Sequence, residues 1–226
     1  MLPQTSTGTI APKSSSRPSA KRPSAKSEAH LDSLELMGAA MAFARNQEIY
    51  GEDEPADYLY KVISGTVRTY KILSDGRRQI AAFHLPGDMF GLAVGDHHAF
   101  SAEAVTDSNI LVIKRSAVVA LAGRNTDVAR ELWMLTAREL QRMQRHMILL
   151  IKSAQERVAA FILEMAERSQ DHRAVELSMP RQDIADYLGL TIETVSRMLT
   201  HLAENAAIEL PSSRRIVLRN RSALSG

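Results

Sequence analysis

The stretch from Arg181 to Leu202, RQDIADYLGLTIETVSRMLTHL, constrains this chain more than any other. Ile184, Ala185 and Leu188 recur at helical spacing, and so do Val195, Met198, Leu199 and Leu202. Between the two sets Gly189 permits the left-handed corner that a tight helix–helix junction needs. The spacing predicts a helix-turn-helix. On the second helix Ile192, Glu193, Ser196, Arg197, Thr200 and His201 fall outside the apolar face and form one stripe. Such a stripe suits the DNA major groove: Arg197 can fork onto guanine, Glu193 can accept from the cytosine amino group, and Ser196 and Ile192 can meet a thymine or adenine edge. A solvated face of an ordinary helical hairpin has the same pattern, so the remainder of the chain must decide between them.

Charge is distributed to suit the first reading. The net charge of the 226 residues is only +2, yet residues 1 to 27 hold five Lys or Arg and no acid, and residues 211 to 226 hold four Arg and no acid. Residues 28 to 172 hold 20 acids against 16 bases, so the ends attract phosphate and the middle repels it. The chain has no cysteine, which excludes disulfides, thiolate zinc sites and cysteine-ligated iron–sulfur clusters and fits a reducing compartment. No apolar run reaches bilayer length and the N-terminus lacks the apolar core of a signal peptide, so the expected location is cytoplasmic, with no membrane partner.

In chain order, residues 1–28 read as a disordered basic tail, too poor in large apolar side chains to offset the entropy of ordering. Residues 29–122 read as a domain of short strands. Asp57 to Ser64 alternates, Thr66 to Leu73 follows Gly65, and Asp75-Gly76 gives a hairpin into Arg78 to Leu85; Asn109 to Lys114 closes the set. Strands so short and evenly spaced predict a small barrel or jelly roll. Residues 123–152 read as one long helix on which Trp133, Thr136, Leu140, Met143, Met147 and Leu150 are spaced 3, 4, 3, 4 and 3 apart. That narrow heptad seam favours a two-stranded dimer contact over packing on the barrel, and makes Met143 and Met147 interface filling rather than a pliable ligand groove. Residues 153–226 open with the capping box Ser153 to Glu156, starting a helix to Arg168, and continue through a polar linker, Ser169 to Ala174, to the helix-turn-helix. Ala207 to Leu210 and Arg214 to Arg219 then flank Pro211-Ser212-Ser213 as a hairpin. It reads as a wing, with Arg214, Arg215, Arg219 and Arg221 placed to meet phosphates.

The order of these parts, together with YKVISGTVRTY, DGRRQIAAFHLPGDMFGL, QERVAAFIL and RQDIADYLGLTIETVSRML, resembles the CRP/FNR family of bacterial transcription regulators over residues 40 to 220. The resemblance implies an α+β fold: an N-terminal cyclic-nucleotide-binding-like β-roll, a long dimerisation helix and a C-terminal winged helix-turn-helix. CRP-type regulators have Arg-Glu-Thr-Val-Gly-Arg where this chain has Ile192-Glu193-Thr194-Val195-Ser196-Arg197. The Glu-x-x-Ser-Arg form is similar to the FNR and FixK branch, which binds palindromes of the TTGA-N6-TCAA kind. The resemblance thus implies Ile192, Glu193, Ser196 and Arg197 as base readers, with Arg181, Thr191, Thr194, His201, Arg214 and Arg215 on phosphates. Pro180 stands where the family usually has a threonine cap; it suits a helix start but supplies no side-chain acceptor.

Effector chemistry separates the branches. Cyclic-AMP binders of the family hold the cyclic phosphate with Arg-Ser and the ribose with Gly-Glu, and the corresponding places here are His98-Ala99 and Gly91-Leu92. FNR uses N-terminal cysteines for an oxygen-sensing cluster, which this chain cannot build. The resemblance therefore implies a FixK-type regulator with no cofactor and no metal, controlling low-oxygen, respiratory or nitrogen-related genes, more as activator than repressor. Its expected partners are double-stranded DNA, a second copy of itself and RNA polymerase. Asp96-His97-His98 suggests a phosphoesterase tripeptide, but the further aspartate motifs are missing. His84, His97 and His98 also leave open a haem ligand, and with it the alternative of a haem- or nucleotide-gated sensor of the same fold. A third class, a barrel that binds a protein partner and never DNA, stays open beside them. No P-loop, dinucleotide fingerprint, HExxH or GxSxG occurs, so the chain is not expected to be an enzyme.

Overall fold

The computed structural model describes residues 37–169 and 171–224; the tail expected at residues 1–28, and residues 29–36 of the expected barrel, lie outside them. Eight strands come first: β1 (Gly38–Phe43), β2 (Glu48–Tyr50), β3 (Tyr58–Ser64), β4 (Val67–Ile72), β5 (Arg78–His84), β6 (Met89–Phe90), β7 (Ser101–Ala104) and β8 (Ser108–Lys114). They form two antiparallel four-stranded sheets, in the orders β1-β8-β3-β6 and β2-β7-β4-β5. The alternating segments read from sequence are β3, β4, β5 and β8. Three of the other four strands have only two to four residues, too short for alternation to register, and β1 runs Gly-Ala-Ala-Met-Ala-Phe with little contrast between its faces.

Between the sheets Val62, Val67, Ala102, Ala104 and Ile110 are almost wholly buried with Phe43, Tyr50, Tyr60 and Phe90. The opposite face of the β1-β8-β3 sheet is apolar as well. There Leu59, Leu111 and Ile113 pack under Val118 of α1 (Arg115–Ala122) and Val128 of α2 (Thr126–Leu149). This double apolar face ties the start of α2 to the roll. Asn125 caps α2 by accepting from the backbone N–H of Asp127 and Val128.

The C-terminal half begins with α3 (Ala154–Arg168), whose capping box between Ser153 and Glu156 makes both of its bonds. It continues with β9 (Ala174–Glu176), α4 (Arg181–Leu188), α5 (Ile192–Glu204), β10 (Ile208–Glu209), β11 (Arg215–Leu218) and α6 (Arg221–Leu224). The segment read as a polar linker, Ser169 to Ala174, runs into a strand that the sequence pattern does not mark: Ala174, Val175 and Glu176 pair with Val217, Ile216 and Arg215, so the wing is a three-stranded sheet, β10-β11-β9. Only Val175 of that strand is buried, a single apolar residue with no pattern to detect.

The two halves share one core. Ile80, Phe83 and Val105 of the roll join Phe161, Ile162, Ile184, Tyr187, Leu188 and the recognition-helix leucines in a continuous cluster. The Phe83 ring lies 6.2 Å from Phe161 and 5.3 Å from Tyr187. Burial of side chains this large contributes roughly 1.5–3 kcal/mol each, enough to dock the C-terminal half directly on the roll.

Candidate nucleic-acid interface

The helix-turn-helix forms as its sequence dictates. Pro180 precedes α4 in extended conformation and makes no side-chain cap. Gly189 ends that helix at φ 62° and ψ 42°, and its N–H closes on the Ala185 carbonyl. A Cβ built there would meet nothing closer than 3.7 Å, so the left-handed backbone, and not crowding, calls for glycine. Ile184, Ala185 and Leu188 bury against Val195, Leu199 and Leu202, with Met198 half-buried beside them.

That packing turns Glu193, Arg197, Thr200 and His201 to solvent, with Ile192 and Ser196 partly covered at the edge of the stripe. Thr191 caps α5: its hydroxyl accepts from Thr194 N at 3.2 Å and lies 3.1 Å from the Thr194 hydroxyl. The N–H at the helix start and the Thr191 hydroxyl hold the Glu193 carboxyl below its ordinary range, with Arg197 adding to the effect. Glu193 is therefore an anion ready to accept. Arg197 reaches back only to Thr194 Oγ1, at 3.4 Å, and its guanidinium is otherwise presented outward. His201 meets the Asn205 amide at 3.2–3.3 Å.

Arg181, expected at a phosphate, donates from Nη1 to Ser196 Oγ at 3.1 Å. It links the first helix to a residue of the reading stripe. Spacing along either helix alone gives no sign of this, because the contact joins the start of α4 to the middle of α5. In the wing, Ser212 Oγ accepts from the backbone N–H of Arg214 and Arg215 and sets the turn, leaving both side chains exposed at its tip. Arg219 and Arg221, read from sequence as phosphate ligands, are exposed and each has a partner within the protein: Arg219 pairs with Glu209 across the hairpin, and Arg221 donates to the His172 carbonyl at 3.4 Å. A cross-strand carboxylate captures the first and a backbone carbonyl the second.

The heptad seam is displayed rather than buried. Trp133 is 73% exposed, Leu140 57%, Met143 58% and Met147 64%, with Thr136 exposed between them and Leu150 half-buried. The intramolecular packing of α2 runs through Leu132, Leu135 and Leu149 beside the seam.

Inside the roll, rings fill the space between the sheets. His98 stacks on Tyr50 at 3.6 Å, Tyr50 lies 5.1 Å from Tyr60, Tyr60 5.1 Å from Phe90, and Phe90 4.9 Å from His84. Gly91 makes room for them, since a Cβ there would come within 2.6 Å of the Tyr60 ring. Burial pushes His98 below the ordinary imidazole range and His84 down to about 3, so both are neutral at physiological pH. At the places where the resemblance implies the phosphate and ribose of a cyclic nucleotide stand a stacked neutral imidazole, His98, and an exposed aliphatic, Leu92, which supply neither the cation nor the carboxylate those groups call for. His97 is exposed while its neighbour His98 is buried, so the tripeptide does not converge on one point.

Known proteins agree with this architecture. Residues 40–125 match the cyclic nucleotide-binding domain and residues 156–226 the Crp-like helix-turn-helix domain. The chain is 54% identical over 194 residues to the nitrogen fixation regulation protein FixK of Azorhizobium caulinodans, covering 83% of this chain and 78% of that protein. It is 33% identical over 207 residues to the fumarate and nitrate reduction regulatory protein of Escherichia coli, covering 88% and 82%. The structure of FixK2 from Bradyrhizobium japonicum superimposes with a TM-score of 0.80 at 51% identity, over 83% of this chain and 96% of that one. With both halves matched and full-length relatives of this similarity, the chain belongs to the CRP/FNR family and is a transcription regulator of the FixK/FNR type.

Proposed function

We propose that the protein binds, as a homodimer and without a small-molecule effector, a two-fold-symmetric DNA site of the TTGA-N6-TCAA kind, and activates transcription there through contact with RNA polymerase. The observation that carries this reading is the outward stripe of α5: an ionised Glu193 and an exposed Arg197 one helical turn apart, with Ser196 held between them. Those are the acceptor and donor chemistries that read cytosine and guanine edges. A symmetric site needs two such helices about one turn of DNA apart, and the exposed apolar seam of α2 is suited to pair two copies. The ring-filled roll supports control without an effector. The FixK relatives' names refer to nitrogen fixation, which supports target genes of low-oxygen, respiratory or nitrogen-related metabolism.

Fluorescence anisotropy of purified protein freed of small molecules, at defined salt, tests the reading. Tight binding to a TTGA-N6-TCAA duplex and weak binding to a scrambled one is the expected result. A strict requirement for added haem or cyclic AMP would replace it with a ligand-gated sensor, and a Soret band in the purified protein would point to haem. Run-off transcription with RNA polymerase on the same site distinguishes activation from occupancy alone.

A further inference from the structure

The charged groups of the roll and of the DNA-binding half meet at one place. Arg68 of β4 donates from Nη1 to Asp183 of α4 at 2.5 Å and from Nη2 to Glu103 of β7 at 2.7 Å. Arg78 of β5 donates from Nη2 to the other oxygen of Asp183 at 2.6 Å and to Asp186 at 2.8 Å. Glu103 faces Arg68 in the β4–β7 ladder, so the sheet itself holds the guanidinium ready. The side chains of Arg68 and Asp183 are only 8% and 2% exposed. Beside them the Thr66 and Ser178 hydroxyls lie 2.8 Å apart.

Charges this deeply buried give up hydration that their mutual attraction repays only in part, and Arg68 Nε is left without an acceptor. The shared apolar core already supplies adhesion between the halves. What the ions add is direction: a bidentate, two-sided grip on Asp183 admits one placement of α4, where a greasy contact tolerates sliding. Because α5 packs on α4, fixing α4 fixes the recognition helix. The grip leaves the outward stripe of α5 uncovered, so docking and DNA reading are compatible. It also sets two cations against Asp183 and Asp186, acids on the helix next to the one that must approach phosphate, although with Glu103 the cluster keeps one net negative charge.

We infer that Arg68 and Arg78 are positioning residues for DNA binding: with Asp183 they clamp the DNA-binding half on the roll in its DNA-competent orientation, standing in for the effector that other roll-containing regulators require. The inference rests on the proposed dimeric, effector-free binding. In a dimer, the clamp sets the separation of the two recognition helices, so it matters for a full palindrome and little for a half-site.

The test uses the full chain and exploits its lack of cysteine. Arg78→Gln is the mild lesion, because that side chain is 24% exposed, and Asp183→Asn the severe one. Each is measured by anisotropy on a palindromic and a half-site duplex. The expected result is a palindrome affinity lower by at least about fivefold, with half-site affinity little changed and circular dichroism unaltered. Equal losses on both duplexes would mean that the residues act only on stability. Thr66→Cys with Ser178→Cys then locks the halves together on oxidation with diamide, since the hydroxyl separation is close to disulfide reach. The locked form should bind the palindrome as well as the parent and should restore binding when combined with Arg78→Gln, reversibly on reduction. Loss of binding in the locked form, regained with dithiothreitol, overturns the inference by making the docked orientation the silent one. Failure of the unsubstituted protein to bind the palindrome strikes the proposed function instead.

Discussion

Arg181 and Ser196 are hydrogen-bonded across the helix-turn-helix at 3.1 Å, joining the first residue of α4 to the middle of the reading helix. A serine hydroxyl rotates freely unless something holds it, and both donor and acceptor roles are open to it. With Arg181 as donor, Ser196 accepts and keeps its own hydrogen free to donate to a base. Arg181→Ala should therefore reduce discrimination at the base pair under Ser196 by about 1 kcal/mol, the net value of one such bond. A panel of duplexes substituted at single positions reads this out; unchanged selectivity would return Arg181 to an ordinary phosphate ligand.

The wing tip should behave differently. Arg214 and Arg215 sit exposed on a turn fixed by Ser212, outside the stripe of α5. Replacing either with alanine should weaken binding to all sequences alike and lower the slope of log K against log salt by about 0.9, one phosphate's worth of counterion release. Arg219→Ala should leave that slope nearly unchanged, because Glu209 already holds its guanidinium. Binding isotherms at four salt concentrations separate the three variants.

These two cases show where the sequence is informative. Helical periodicity placed α4, α5 and their shared apolar face because each face repeats within a few residues of itself. Arg214 and Arg215 were legible because a hairpin tip is exposed whatever lies around it. The pairing of Arg219 was not legible, since its partner, Glu209, lies ten residues back along the chain on the neighbouring strand. The ion-pair clamp was invisible for the same reason on a larger scale: Arg68 and Asp183 are 115 residues apart, and nothing in either local pattern points to the other. The ring column of the roll lay hidden too, its members drawn from β2, β3, β5, β6 and the loop at His98.

Two glycines with similar backbones should respond unequally to substitution. Gly91 has φ 79° and Gly189 φ 62°. At Gly189 a methyl group finds ordinary contacts only, so Gly189→Ala should cost about 1–2 kcal/mol, the penalty of the left-handed backbone alone. At Gly91 the same methyl collides with the Tyr60 ring inside a packed column, adding about 1–3 kcal/mol of overpacking. Urea unfolding of the two variants should rank Gly91→Ala clearly below Gly189→Ala.

Acid should destabilise the roll through its buried histidines. His84 is fully enclosed, bonded through Nε2 to Thr69 Oγ1 at 3.2 Å, and holds its proton only below about 3, against about 6.5 when unfolded. Above pH 6.5 the imidazole is neutral in both states and contributes no pH dependence. Between 6.5 and 3 the unfolded chain binds a proton that the folded chain refuses, so stability falls as pH falls, with a limiting slope of about 1.4 kcal/mol per pH unit for this group. His98 and His146 are lowered by burial in the same sense and add to the loss. His84→Gln should flatten the profile between pH 6 and 4 relative to the parent. An identical profile would show that His84 does not stay buried and neutral.

The seam on α2 carries the last expectation. Leu140 and Met143 are more than half exposed, whereas the residues that bind α2 to the roll are Val128, Leu132 and Leu135. Leu140→Lys with Met143→Lys should therefore leave the protomer folded, with an unchanged circular dichroism spectrum, while placing like charges opposite one another in a paired seam. Sedimentation should then report a monomer. Palindrome affinity should fall by at least about tenfold, because each recognition helix loses the second site that raises effective concentration, while half-site affinity should persist. A variant that sediments as the parent does would remove α2 as the dimer contact and require the two-fold axis to be sought on another face.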